Sequence, residues 1–167
     1  MLIFDASTLI LIAKIELLDA FLTGAPLRIT IPPAVERECC GAKKTLDALM
    51  IRRALDESRI QVSAVENRRL VSRLAAEFSL GKGEAEAIAL GIAESGSIVA
   101  IDDKNGINAC KLLGIAFTSA VGILIRSREK NLLSRMEALA SSASLGRYGR
   151  YSEIIVEDAR RRLEALE

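Results

Sequence analysis

Short apolar runs alternate with helix-patterned segments through the first 120 residues, and this alternation constrains the fold more than any other feature of the chain. Residues 2–4 (LIF), 27–31 (LRITI), 59–65 (RIQVSAV), 97–101 (SIVAI) and 115–118 read as strands. Between them, Ser7 or Thr8 is placed to cap a first helix, and Pro32-Pro33 opens another that carries Val35, Glu36 and Glu38. Residues 45–57, 67–78, 84–94 and 104–113 are patterned as helices, the last stopping at Gly114. Ser119 is placed to cap the next one. Beyond residue 120 only helices are expected, two or three of them, with residues 141–151 (SSASLGRYGRY) as a small, polar loop and Ser152 capping a final helix. The expectation is an α/β fold: a parallel central sheet with helices on both faces, one domain over residues 1–167, and a helical C-terminal extension over 126–167.

The chain has no histidine, which removes Ser-His-Asp and Cys-His catalysis, histidine general bases and the usual catalytic zinc sites. Acid–base or metal chemistry then falls to Asp, Glu, Lys, Tyr or Cys. Cys39, Cys40 and Cys110 match no zinc spacing and no disulfide framework, so they are read as core residues of a reducing, cytoplasmic protein. Lys+Arg and Asp+Glu nearly cancel (23 against 22), so a nucleic-acid surface requires local segregation of charge. The opening MLIFDASTLILIAKIELLD is apolar, but Asp5, Lys14 and Glu16 interrupt it, and it lacks the basic start of a signal peptide. No membrane association is expected.

Ligands of open parallel sheets bind beyond the carboxyl ends of the strands. Asp5 ends the first strand there, and Asp102-Asp103 end the strand SIVAI. Glu38 and Glu84 lie on helices that follow a strand or a glycine turn. Each has a local alternative. Asp5 serves as well in a helix cap, Asp102-Asp103 in a turn, and Glu84 beside the positive end of a helix dipole.

Four segments give the acids a common meaning: IFDASTLI, IPPAVEREC, GKGEAEAIALG and VAIDDKNGINACKLLGI. In that order, residues 1 to about 125 resemble the PIN-domain family, particularly the small stand-alone proteins related to toxin–antitoxin ribonucleases. The resemblance implies a metal-dependent endoribonuclease that hydrolyses RNA phosphodiester bonds with Mg2+ or Mn2+. Asp5, Glu38, Glu84 and Asp102 would be the metal ligands, Ser7 a neighbouring hydrogen-bond donor, and Asp103 a reserve ligand. Many relatives carry Asp where this chain has Glu84. The resemblance also implies an RNA substrate and a possible antitoxin-like protein partner. Oxygen-only ligands suit magnesium or manganese and not zinc.

Cations for RNA are sought at Arg126, Arg128, Lys130 and Arg135, and in the stretch Arg147, Tyr148, Arg150, Tyr151, where the rings are placed to stack bases. The run Arg160-Arg161-Arg162 is read as a solvated helix face. A homodimer is expected because residues 121–125 and 132–139 carry more apolar surface than a small sheet covers. Two other readings compete. One is a degenerate PIN-like interaction protein. The other is an aspartyl-nucleophile phosphohydrolase, which usually wants a second Asp where this chain has Ser7. A phosphate-binding loop fails at Gly81-Lys82, where residue 83 is glycine.

Overall fold

The computed structural model describes residues 1–149 and 151–166. Five short strands, β1 (Leu2–Phe4), β2 (Ile29–Ile31), β3 (Gln61–Val62), β4 (Ile98–Ala100) and β5 (Phe117–Thr118), form one sheet in the order β3-β2-β1-β4-β5. All pairings are parallel, with Leu2 opposite both Ile29 and Ile98. The two-residue alternation of a strand then divides the core. Leu2 and Phe4 face one layer, where α1 (Ala6–Lys14), α2 (Leu18–Gly24), α3 (Pro33–Cys40) and α4 (Leu46–Asp56) meet α8 (Ala120–Glu129), α9 (Arg135–Tyr148) and α10 (Glu153–Ala165). Ile3, Val99 and Ile101 face the other layer, with α5 (Arg68–Phe78), α6 (Lys82–Ala93) and α7 (Lys104–Leu113). This is the α/β fold expected, with helices on both faces.

Local chemistry accounts for most helix ends. Asn67 and Ser119 cap α5 and α8 by accepting the Leu70 and Gly122 amides, and Gly114 ends α7 in the left-handed conformation at φ +67°. Ser152 stands before α10 without making a side-chain cap. The cap of α1 is Asp5, which accepts the Thr8 amide, and not Ser7 or Thr8. The strand expected over residues 59–65 shrinks to Gln61–Val62 at the sheet edge, where Ile60 is buried but Gln61 and Val62 are exposed.

Of the loop expected at 141–151, residues 141–148 are instead the second half of α9. Its small residues fit a close helix contact. Ser141 donates to the Ile15 carbonyl, and Ser142 and Leu145 are buried. Composition alone does not separate a flexible loop from a closely packed helix face. The late apolar residues are covered by the chain itself: Ile123, Leu124, Ile125, Leu133 and Ala138 are all buried. In the same segments Met136 is exposed, and Val121, Leu132 and Leu139 are partly so. Among the described residues no helix is long and apolar enough to cross a membrane.

Candidate active site

In the order β3-β2-β1-β4-β5, successive connections leave β1 in opposite directions, which puts the topological switch point, where open sheets bind ligands, at the carboxyl ends of β1 and β4. Asp5 follows β1 directly, and its amide donates to the Ala100 carbonyl at the end of β4 (3.0 Å). Its carboxylate is wholly buried. The Ser7 hydroxyl donates to Oδ2 (2.6 Å) and the Thr8 amide to Oδ1 (2.8 Å). Burial pushes its pKa up to about 7 against the pull of these donors, and the nearby Asp102 charge pushes in the same direction. The Thr8 hydroxyl is buried beside it with no partner at hydrogen-bonding geometry among the described residues.

The adjacent aspartates separate. Asp102 turns toward Asp5, and its two oxygens accept the Ala120 amide at the start of α8 (3.0 and 3.3 Å). Oδ1 also accepts the Tyr151 hydroxyl. Asp103 turns away and caps α7, accepting the Asn105 and Gly106 amides (2.8 and 3.2 Å). Its charge acts on Glu84.

Glu84 sits in the first turn of α6, where Oε2 accepts the Gly81 amide (2.9 Å). Burial raises its pKa, and Asp103 and Glu38 add to the rise. Glu38, near the end of α3, lies against Gly83, and a Cβ on that glycine would stand 2.9 Å from Glu38 Oε1. Cys39 links the two halves, for both Asp5 and Glu38 act on its thiol, which burial pushes well above the ordinary range. The acids therefore stand as an arc of two neighbouring groups, the pair Asp102 and Asp5 and the trio Glu38, Glu84 and Asp103. The sequence reading anticipated a single four-membered cluster. Among the described residues, no three metal-ligating side chains are arranged to hold an ion together.

The Gly83 contact predicts a separation of activity from stability. Gly83→Ala adds a helix-favouring residue worth up to about 1 kcal/mol, while the exposed Glu38 side chain swings aside at little cost. We expect an unchanged or higher Tm, with any reaction at this site slowed about 10-fold because Glu38 is displaced. Unchanged turnover would remove Glu38 from the site.

One acid that sequence reasoning passed over holds the arc in place. Glu86 is wholly buried, accepting the Ala34 amide (2.9 Å) and the Arg68 guanidinium (2.8 Å). Pro32, at the N-cap of α3, makes no side-chain cap, so Glu86 supplies from α6 the acceptor that α3 lacks. The helix EAEAIALGIA is apolar on nearly every side, which was the available signal: a helix buried all round must bury its second glutamate too.

Several expected cations stand elsewhere. Arg128 is buried, bonding Asn131 and the Leu166 carbonyl. Arg126 and Lys130 border a cleft with Leu2 and Ile98, the first residues of β1 and β4, so they lie at the amino ends of the strands, opposite the acids. Arg150 lies outside the described residues. Tyr151, expected to stack bases, turns inward onto Asp102.

The arc fits a hard divalent cation. Its donors are all oxygen, and magnesium is commonly held by one or two carboxylates with water filling the remaining positions. Asp5 and Asp102 supply such a pair. No basic side chain forms an ion pair with any acid of the arc among the described residues. A wholly buried carboxylate such as that of Asp5, without a counter-charge, is electrostatically incomplete.

No curated protein and no solved structure matches the chain. A family described as DUF3368, PIN domain, matches residues 1–164. That span includes every strand, all five acids of the arc and the helical C-terminal part. The chain belongs to the PIN-domain family.

Proposed function

We propose that this PIN domain is a metal-dependent endoribonuclease acting at the arc of acids. The wholly buried Asp5 carboxylate beside the half-buried Asp102, neither with a basic ion-pair partner among the described residues, carries the reading. Asp5 and Asp102 would hold a magnesium or manganese ion, with Glu84, Glu38 and Asp103 bordering the same opening. When bound, the ion supplies Lewis acidity, activating water and offsetting charge on the phosphoryl group. Ser7 fixes the Asp5 carboxylate through its 2.6 Å hydrogen bond. The exposed Lys82 and Lys104, first residues of α6 and α7, flank Glu84 and Asp103 and are placed to take the RNA backbone.

One observation favours a second reading, a binding protein without catalysis: no three acids are arranged to hold an ion together among the described residues. A single assay decides between the two. Purified protein is incubated with a labelled RNA in magnesium, in manganese and in chelator. Internal cleavage that requires the metal, weakens with salt and disappears in Asp102→Asn is the expected result. RNA that stays intact in every metal, or that is cut equally by Asp102→Asn, sinks the nuclease reading.

A further inference from the structure

Tyr151 lies in the connection between α9 and α10, far along the chain from the acids, yet its hydroxyl donates to Asp102 Oδ1. Its ring packs against the larger core cluster. The Ala120 amide holds the same carboxylate from the start of α8. Asp102 is thus gripped by two donors from two elements, and Oδ2, which accepts only the Ala120 amide, keeps lone-pair capacity for a cation.

A second observation shows that this placement is built in. Gly149 has ordinary extended backbone (φ −88°, ψ 162°), so its conformation does not demand glycine. Space does. A Cβ there would stand 2.6 Å from Tyr151 Cδ2 and 2.8 Å from the Leu145 carbonyl oxygen. The missing side chain is what lets the Tyr151 ring turn inward.

We propose that Tyr151 is a positioning residue of the metal site, orienting Asp102 from behind and making metal binding and docking of the α9–α10 connection depend on each other. The proposal rests on the metal-site reading above. Groups behind metal ligands fix ligand orientation, and their loss typically weakens metal binding about 10–100-fold. Coupling of this kind is reciprocal, so the metal must in turn tighten the connection that carries Tyr151.

The test is titration calorimetry with Mn2+ on the parent, Tyr151→Phe, Gly149→Ala and, as a control, Tyr148→Phe, whose ring is half exposed. Amide hydrogen exchange at residues 149 and 151 is followed with and without Mn2+. Melting curves in chelator establish that each variant is folded. Tyr151→Phe keeps the ring and loses only the hydroxyl, so we expect a Tm within a few degrees of the parent and Mn2+ affinity about 10–100-fold lower. Gly149→Ala should weaken binding in the same range, and Tyr148→Phe should leave it unchanged. Mn2+ should slow exchange at 149 and 151 in the parent and much less in Tyr151→Phe. Equal affinity in parent and Tyr151→Phe overturns the proposal and leaves the metal site standing. Tighter binding overturns it too, by showing that the hydroxyl competes with the cation. A parent that binds no Mn2+ overturns the metal site and this proposal together.

Discussion

Asp5→Asn is expected, under the nuclease reading, to abolish metal-dependent RNA cleavage, by at least about 100-fold, while making the metal-free protein more stable at pH 8. The stability change follows from the position of the carboxyl group. It titrates near 3.8 in the unfolded chain and at about 7 in the folded one. Below pH ~4 both states hold the proton and the group makes no difference. As pH rises toward 7 the unfolded chain ionises first, so the native state binds more protons and loses stability. Above pH ~7 the loss is complete and level. Burial raises Glu84 in the same direction, adding to the slope.

Asparagine carries no charge, and its carbonyl oxygen still accepts the Thr8 amide. The variant should therefore match the parent near pH 4 and gain about 2 kcal/mol by pH 8, part of the full shift at ~1.4 kcal/mol per pKa unit. Millimolar magnesium or manganese should narrow or reverse the difference, because the ionised parent gains more from binding. A helix cap alone predicts something else, since Asn caps about as well as Asp. Melting curves of both proteins from pH 4 to 8, in chelator and in metal, give the answer. Superimposable curves throughout would remove the metal site.

Glu86→Ala should cost about 3 kcal/mol, the largest stability loss expected of any acid in the chain. The Ala34 amide, buried at the start of α3, loses its acceptor, and a cavity opens between α3 and α6. The Arg68 side chain is 60% exposed and moves into water at little cost. Glu86→Gln keeps an acceptor for the amide and should lose about half as much. On a chain of this size the alanine variant should melt about 6–12 °C lower. Glu38 rides on the same helix, so under the nuclease reading cleavage should fall further than the unfolded fraction explains. Urea unfolding that puts Glu86→Ala within 1 kcal/mol of the parent would show that α3 holds its place without the clamp.

The layers of the fold were legible because they rest on local periodicity. Leu2-Ile3-Phe4 and SIVAI are apolar runs of strand length, and Gly114 and Ser119 bound their helices by chemistry confined to a few residues. The acids were legible as places beyond strand ends. Their division into two groups was not, since Asp102 and Asp103 are neighbours whose directions depend on which helix start takes each one. Glu86, and the role of Tyr151 beside Asp102 in place of base stacking, escaped for one reason: each is partnered by residues that the folded chain brings near, Ala34 and Arg68 for one and Asp102 for the other. Arg128 shows the converse, a residue typical of the surface that packing enclosed.

The central strand has a consequence for how the molecule comes into being on the ribosome. Leu2 pairs with Ile98, so the segment ending in Asp5 leaves the ribosome long before the strand that completes its switch point. At translation rates of about 5–20 residues per second, the interval is on the order of 5–20 s. During that time one edge of β1 has no strand to pair with, and Asp5 has no Asp102 beside it. A nascent chain can neither hold a cation between those two carboxylates nor cut RNA with them until β4 has emerged. Under the nuclease reading, the activity is silent through most of synthesis and is switched on by completion of the sheet.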